Sequence, residues 1–226
     1  MADRIIQTET LKSIANALRG GASQSAADKI EVADFAGVAQ ELKVSNDSFV
    51  GFLNRNATSI TIPEGVTSIY DQAFYNFTSI SEINLPSTLI SIGDGAFNSC
   101  TSLASITIPE GVTSISANAF RDCSSLTSIE IPIGVETIGH SAFGKCTSLE
   151  EVNLPSTLTS IGLAAFAQCT SLTEINLPHT ITSIGSSAFI GINANAVINC
   201  GFSEGAVSGA PWGAPETVTI NYDVSN

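Results

Sequence analysis

The residues able to do chemistry are five cysteines, two histidines and a tandem glutamate pair. Cys100, Cys123, Cys146 and Cys169 fall 23 residues apart, with Cys200 outside that phase. Metal ligation needs close spacing such as C-x-x-C, which this sequence lacks. A disulfide between neighbours is geometrically conceivable if successive units lie about 5 Å apart. Phe77 and Ile192 occupy the same column at its ends, which marks an interior slot for a small hydrophobe and favours free thiols. His140 and His179 share no column, and other units place unrelated residues such as Asp94 and Leu163 near the His140 position. Ser and Thr are so abundant that a Ser/His/Asp triple carries no weight without a base and an orienter in reach. Glu150-Glu151 is the one paired carboxylate of the repeats, and tandem residues on a strand point to opposite sides. The expectation is a protein that is not an enzyme, with no catalytic residues, no metal and no cofactor.

The elements that position these residues repeat. Proline stands at Pro63, Pro86, Pro109, Pro132, Pro155 and Pro178, and phenylalanine at Phe74, Phe97, Phe120, Phe143, Phe166 and Phe189. Each step is 23 residues, a period that marks a leucine-rich-repeat solenoid. The unit reads L-x-x-I-x-[IL]-P-x-x-[VL]-x-x-I-x-x-x-A-F-x-x-C-T-S. Ile106 and Ile108 alternate as a short strand. Pro109 cannot donate to a ladder and ends it. Glu110-Gly111 is turn chemistry, Val112 and Ile115 point inward again, and Ala119-Phe120 with Cys123 fill the far side. One unit cannot bury this apolar set alone, so stability comes from neighbours stacked in columns. The fold class expected is an α/β repeat solenoid dominated by short parallel β-strands, with a small helical N-terminal segment.

The units ITIPEGVTSISANAFRDCSSL and INLPSTLTSIGLAAFAQCTSL resemble the BspA-type leucine-rich repeats of bacterial surface proteins. The resemblance covers about residues 57–200. It implies a curved solenoid with one strand per unit on the concave side and a second short strand near T-S-I-G. It also implies adhesion or protein binding at the cell surface, and it carries no catalytic residues.

Composition narrows the partners. The 226 residues carry a formal charge of −13 and a mean hydropathy of +0.28. That balance argues against nucleic acid, whose phosphates demand a basic face, and against anionic membrane surfaces. Acidity also serves simply to keep a Ser/Thr-rich surface soluble. No run of 18 apolar residues exists, so no membrane insertion is expected. MADRIIQTETLKSIA lacks the apolar core of a signal peptide, which leaves either another route or a leader outside this chain.

Three domains are expected. Residues 1–56 form a helical N-terminal segment and cap, with Leu11, Ile14, Ala15 and Leu18 on one stripe, Gly20-Gly21 as a stop, and Val32, Phe35, Ala36, Ala39 and Leu42 on a second stripe. TLKSIANALRGG…DKIEVADFAGVAQEL resembles a short helical segment at the start of some proteins of Gram-positive bacterial and prophage genomes. That likeness implies a connector or assembly module. Phe49, Phe52 and Leu53 are placed to cover the open end of the first unit. Residues 57–200 form the solenoid of about six units. Residues 201–226 form a C-terminal loop and cap strand, with Val218, Ile220 and Tyr222 alternating. Trp212 has two readings, a cap residue or an exposed ligand platform.

With isoleucine inward, the flanking residues face out on the concave side. One outward column reads Ser59, Glu82, Ser105, Ser128, Glu151, Glu174, Val197, and the next Thr61, Asn84, Thr107, Glu130, Asn153, Asn176, Asn199. Glu130, Glu151, Asn153, Glu174 and Asn176 form the candidate patch for a basic or hydroxyl-rich partner, protein or glycan. Glu151 and Glu174 are expected on adjacent parallel strands about 5 Å apart, an unfavourable placement that a merely structural surface does not need but that solvent screens. The preferred function is a non-enzymatic binding solenoid of the surface-adhesin type. The alternatives are a phage or prophage-associated structural protein and an intracellular interaction scaffold.

Overall fold

The computed structural model describes residues 57–62 and 64–224. They wind into a parallel β-solenoid of about seven turns. The expected N-terminal helices fall on residues 1–56, outside the described residues. Coils begin at residues 57, 80, 103, 126, 149, 172 and 195, one repeat apart.

The front face carries β1 (Ser59–Thr61), β3 (Glu82–Asn84), β6 (Ser128–Glu130), β8 (Glu151–Asn153), β10 (Glu174–Leu177) and β12 (Val197–Cys200), closed by β13 (Thr219–Asn221). This is the side that the resemblance assigns to the concave surface. A second, two-residue strand in each of the first six coils lines the other side, β2 (Ser68–Ile69), β4 (Ser91–Ile92), β5 (Ser114–Ile115), β7 (Thr137–Ile138), β9 (Ser160–Ile161) and β11 (Ser183–Ile184), paired as β2–β4 and β5–β7–β9–β11. Every pairing is parallel, with Ile60 on Ile83, Ile129 on Val152 and Ile175 on Ile198. The buried centre of each short strand, flanked by exposed residues, is the period-two pattern of a half-covered sheet.

The third side corrects the α part of the expected class: among the described residues no helix forms. Within each A-F-x-x-C arm, two residues four apart take left-handed backbone, such as Asn118 (φ 55°) and Asp122 (φ 61°), then Ser141 (φ 51°) and Lys145 (φ 63°). A left-handed residue at every fourth position breaks any right-handed run. The arm becomes a chain of tight turns whose amides reach the next coil, as Phe97 N–H does to the Ala119 carbonyl at 2.8 Å and Phe120 N–H to Ala142 at 2.8 Å.

The core is a set of columns. Phe97, Phe120, Phe143, Phe166 and Phe189 are fully buried and stack nearly parallel, with centroids 5.3–5.9 Å apart. Phe74 begins the stack, 5.3 Å from Phe97, with Phe77 edge-on to it. Trp212, 23 residues after Phe189 and 1 % exposed, meets Phe189 edge-on at 6.3 Å. Its indole N–H donates to the Ser208 carbonyl at 2.9 Å, so it is core and not a ligand platform.

The front ladder is not continuous. It divides into β1–β3, β6–β8 and β10–β12–β13. The third coil has no front strand, and one isolated bridge, Glu82 to Ser105, joins it to the second.

Candidate interaction surface

The five patch residues all lie exposed on the front face, Glu130 on β6, Glu151 and Asn153 on β8, Glu174 and Asn176 on β10. Register sets Glu130 opposite Asn153. It does not pair Glu151 with Glu174, because β8 and β10 belong to different sheets. The two carboxylates are instead drawn to different amides. Glu151 Oε1 accepts from Asn153 Nδ2 on its own strand at 3.2 Å, and Glu174 Oε1 accepts from Asn199 Nδ2 on β12 at 3.0 Å. The expected like-charge ladder is thus relieved by local amide bonds.

Asparagines extend this network beyond the expected patch. Asn199 Nδ2 also donates to Asn176 Oδ1 at 2.9 Å, and Asn221 Nδ2 donates to Asn199 Oδ1 at 2.8 Å. Asn221 escapes sequence reasoning because β13 pairs with β12 at a step of 22 residues, one short of the period. Glu82 and Asn84 repeat the Glu-x-Asn bond at 3.1 Å on β3. In the first two coils, Glu64 accepts from Ser87 N–H and Oγ, both at 3.0 Å, and these bonds hold its carboxyl below the usual range.

Among the described residues the only cations are Arg121 and Lys145, both in the A-F-x-x-C arm rather than on the front strands. The outward positions of the front strands therefore carry carboxylates, amides and hydroxyls but no cation. Two clefts border its N-terminal half. One of about 520 Å³ is lined by Ile83, Leu85, Pro109 and Glu110, the other, about 400 Å³, by Glu110, Glu130, Ile133 and Asn153. Glu110 lies outside the columns flanking the strands and was not among the expected residues.

The remaining chemical residues do not converge. All five cysteines are free and buried. Cys100, Cys123, Cys146 and Cys169 donate Sγ–H to the carbonyls of Phe74, Phe97, Phe120 and Phe143 at 3.1–3.2 Å. Burial pushes the Cys100 and Cys169 thiols up to about 12 and Cys200 up to about 11, and raises Cys123 and Cys146 well above the ordinary range. His140 Nε2 lies 3.2 Å from the neighbouring Ser141 Oγ, but Ser141 is buried at 3 % exposure, closed to a substrate. Among the described residues no group of three His, Cys, Asp or Glu side chains is placed to hold a metal ion, and no helix is long and apolar enough to cross a membrane.

The family model for the BspA type leucine rich repeat region matches residues 44–162 and 136–200, in six copies. The chain is similar to the crystal structure of a T. pallidum leucine rich repeat protein, at 28 % identity over 77 % of this chain and 80 % of that one, with a TM-score of 0.61. It is also similar to a leucine-rich repeat protein from Eubacterium ventriosum ATCC 27560, at 26 % identity and a TM-score of 0.52, over 60 % of this chain. The match spans 43 % of that longer protein. No curated protein matches the chain.

Proposed function

The chain belongs to the BspA-type leucine-rich repeat family, and we propose that it is a non-enzymatic protein-binding solenoid of the bacterial cell surface, acting in adhesion or host interaction. The observation that carries this reading is the front face, where Glu130, Glu151, Asn153, Glu174 and Asn176 are exposed on parallel strands with no cation among them. Solenoids present such extended faces to partners because successive coils repeat the same outward positions. Carboxylates steer a basic partner and the amides fix its register. Family membership supports a binding role, and the scattered histidines and buried thiols give no reason to assign chemistry.

The test is capture of host extracellular-matrix and cell-surface proteins by the full chain, with accessibility labelling of intact cells that carry it. A surface adhesin is labelled on intact cells and retains a basic partner in a salt-dependent way. A chain wholly inaccessible from outside overturns the surface role, and a captured partner indifferent to salt overturns the acidic patch.

A further inference from the structure

We propose that the two clefts flanking the third coil dock an extended polypeptide segment of a partner protein in which basic and apolar residues alternate. This rests on the protein-binding reading and adds where the partner enters and what chemistry it carries.

The first observation is an opening in the front ladder. Ile62 N–H reaches the Asn84 carbonyl at 2.9 Å between the first and second coils, and Ile131 N–H reaches Asn153 at 3.1 Å between the fourth and fifth. Among the described residues, no equivalent bond runs from Leu85 to Thr107 or from Ile108 to Glu130. Both junctions of the third coil lack this bond, with the Thr107 and Glu130 carbonyls unmatched by a backbone donor, as does the β8–β10 junction, but the third coil alone lacks it on both sides.

The loops at these two junctions also differ in sequence. One loop column reads Gly65, Thr88, Gly111, Gly134, Thr157, Thr180. Where threonine follows glycine, its hydroxyl clasps the preceding coil. Thr88 Oγ1 accepts from Gly65 N–H and donates to the Val66 carbonyl, both at 2.9 Å. Thr157 Oγ1 accepts from Gly134 N–H at 3.0 Å and donates to the Val135 carbonyl at 2.9 Å. Two of the clasped junctions pair their strands as β1–β3 and β6–β8, whereas Thr180 Oγ1 donates to the Leu158 carbonyl at 2.6 Å across a junction where β8 and β10 do not pair, so the hydroxyl alone does not decide pairing. The third coil has Gly111 where a clasp on the second coil belongs, and the fourth has Gly134 where a clasp on the third belongs. The second and third coils approach closely at Gly111, where a Cβ would come 2.6 Å from the Leu89 carbonyl oxygen.

The second observation is the lining. Leu85, Pro109, Ile131 and Leu154 supply apolar walls, and Ile133 stands 74 % exposed at the rim. Glu110 is shared by both clefts and Glu130 faces the second. Glu64 is already engaged by Ser87, whereas neither Arg121 nor Lys145 lines the clefts to neutralise Glu110 or Glu130. Charge complementarity therefore calls for lysine or arginine, and the apolar walls for isoleucine, leucine or valine between them. A chain laid out in extended form along the clefts alternates its side chains between the walls and the carboxylates. No aromatic ring lines either cleft, so a sugar finds no stacking platform.

The experiment measures fluorescence anisotropy of a labelled synthetic peptide of alternating lysine and isoleucine with the full chain, beside a glutamate–isoleucine counterpart. The lysine peptide is expected to bind, more weakly as salt rises, and the glutamate peptide not to bind. Glu110→Gln with Ile133→Ser touches exposed positions outside the five-residue patch and should weaken binding about tenfold, with unchanged thermal unfolding. Glu151→Gln with Glu174→Gln, which lies outside the clefts and only reduces the surrounding field, should weaken this binding far less than the Glu110/Ile133 change does. Unchanged binding in the Glu110/Ile133 variant, no binding of the lysine peptide, or equal binding of the glutamate peptide overturns the proposal. Loss in the Glu151/Glu174 variant alone moves the peptide to the strand patch. It removes the cleft while leaving the broader binding reading intact.

Discussion

Inside and outside follow different rules in this molecule. The interior columns run without a break from Phe74 to Trp212, with ring centroids 5.3–6.3 Å apart. The front ladder, over the same coils, is broken into three pieces. Coils are thus held in register by large side chains packed on their own copies and by amides of the A-F-x-x-C arm. Continuous pairing of the front sheet is not required. A surface released from holding the fold together is free to vary, as the front columns do between Ser, Thr, Asn and Glu.

The strongest way to break this contrast is to empty the phenylalanine column. Phe120 is fully buried between Phe97 and Phe143. Phe120→Ala should cost about 3–5 kcal/mol through lost apolar contact and the cavity left behind. By sequence count Phe189 is a terminal member whose loss should cost less. The structure places Trp212 beyond it, so Phe189→Ala should fall in the same range. Urea unfolding of both variants checks this, and a small loss at either would mean that the column does not carry the stacking.

The second effect is set by pH. Burial raises the folded-state thiols of Cys100 and Cys169 to about 12 and of Cys200 to about 11, against an ordinary value of 9.0. The folded chain therefore keeps protons that the unfolded chain releases above about pH 9. Their contribution is fully present below pH 9 and is lost as pH rises toward the folded values. Each such thiol should lower stability by about 1.4 kcal/mol per pH unit in that window. Unfolding midpoints measured from pH 8 to 10.5 should fall, and Cys169→Ala should flatten the slope. A pH-independent midpoint would show that the column admits water.

Most of the interior was legible because identical side chains at a fixed spacing have one economical arrangement. Ile106, Phe120 and Cys123 needed only the period to be placed. The tight turns of the arm were not legible, because left-handed backbone at Asn118, Ser141 or Ala164 has no glycine to announce it. On the front face, the period places Glu130, Glu151 and Asn153 on exposed strand positions, but it says nothing about where a ladder opens. The loop hydroxyl present at Thr157 and missing at Gly111 and Gly134 is one irregularity that averaging over units conceals, though the junction that Thr180 clasps is open as well. Asn221 was hidden by the single-residue shift of β13, and Glu110 by its place beyond the strand.

A smaller effect tests the clasp. Thr157→Val keeps shape but removes both hydroxyl bonds to the fourth coil, at a cost of about 1 kcal/mol. Amide exchange at Ile131, whose N–H holds the end of that junction, should then quicken toward the rate at Ile108 on the open side. Stability lost with no change at Ile131 would separate the clasp from the ladder.

The smallest stability effect is expected on the exposed carboxylates of the front strands. Glu151→Gln with Glu174→Gln leaves the interior columns untouched. Each glutamine keeps a carbonyl oxygen able to accept the amide that Asn153 or Asn199 now donates. What is lost is the charge-assisted part of two exposed bonds, offset by the repulsion relieved on a surface without cations. The net change in stability should stay within about 0.5 kcal/mol, as for other exposed sites. Affinity for a basic partner should nevertheless fall, most at low salt, since steering depends on the field that those carboxylates project. Parallel unfolding and binding titrations on the same variant separate the two outcomes. A clear loss of stability would assign the Glu-x-Asn network to holding the coils, and the front face would then share the interior's structural duty.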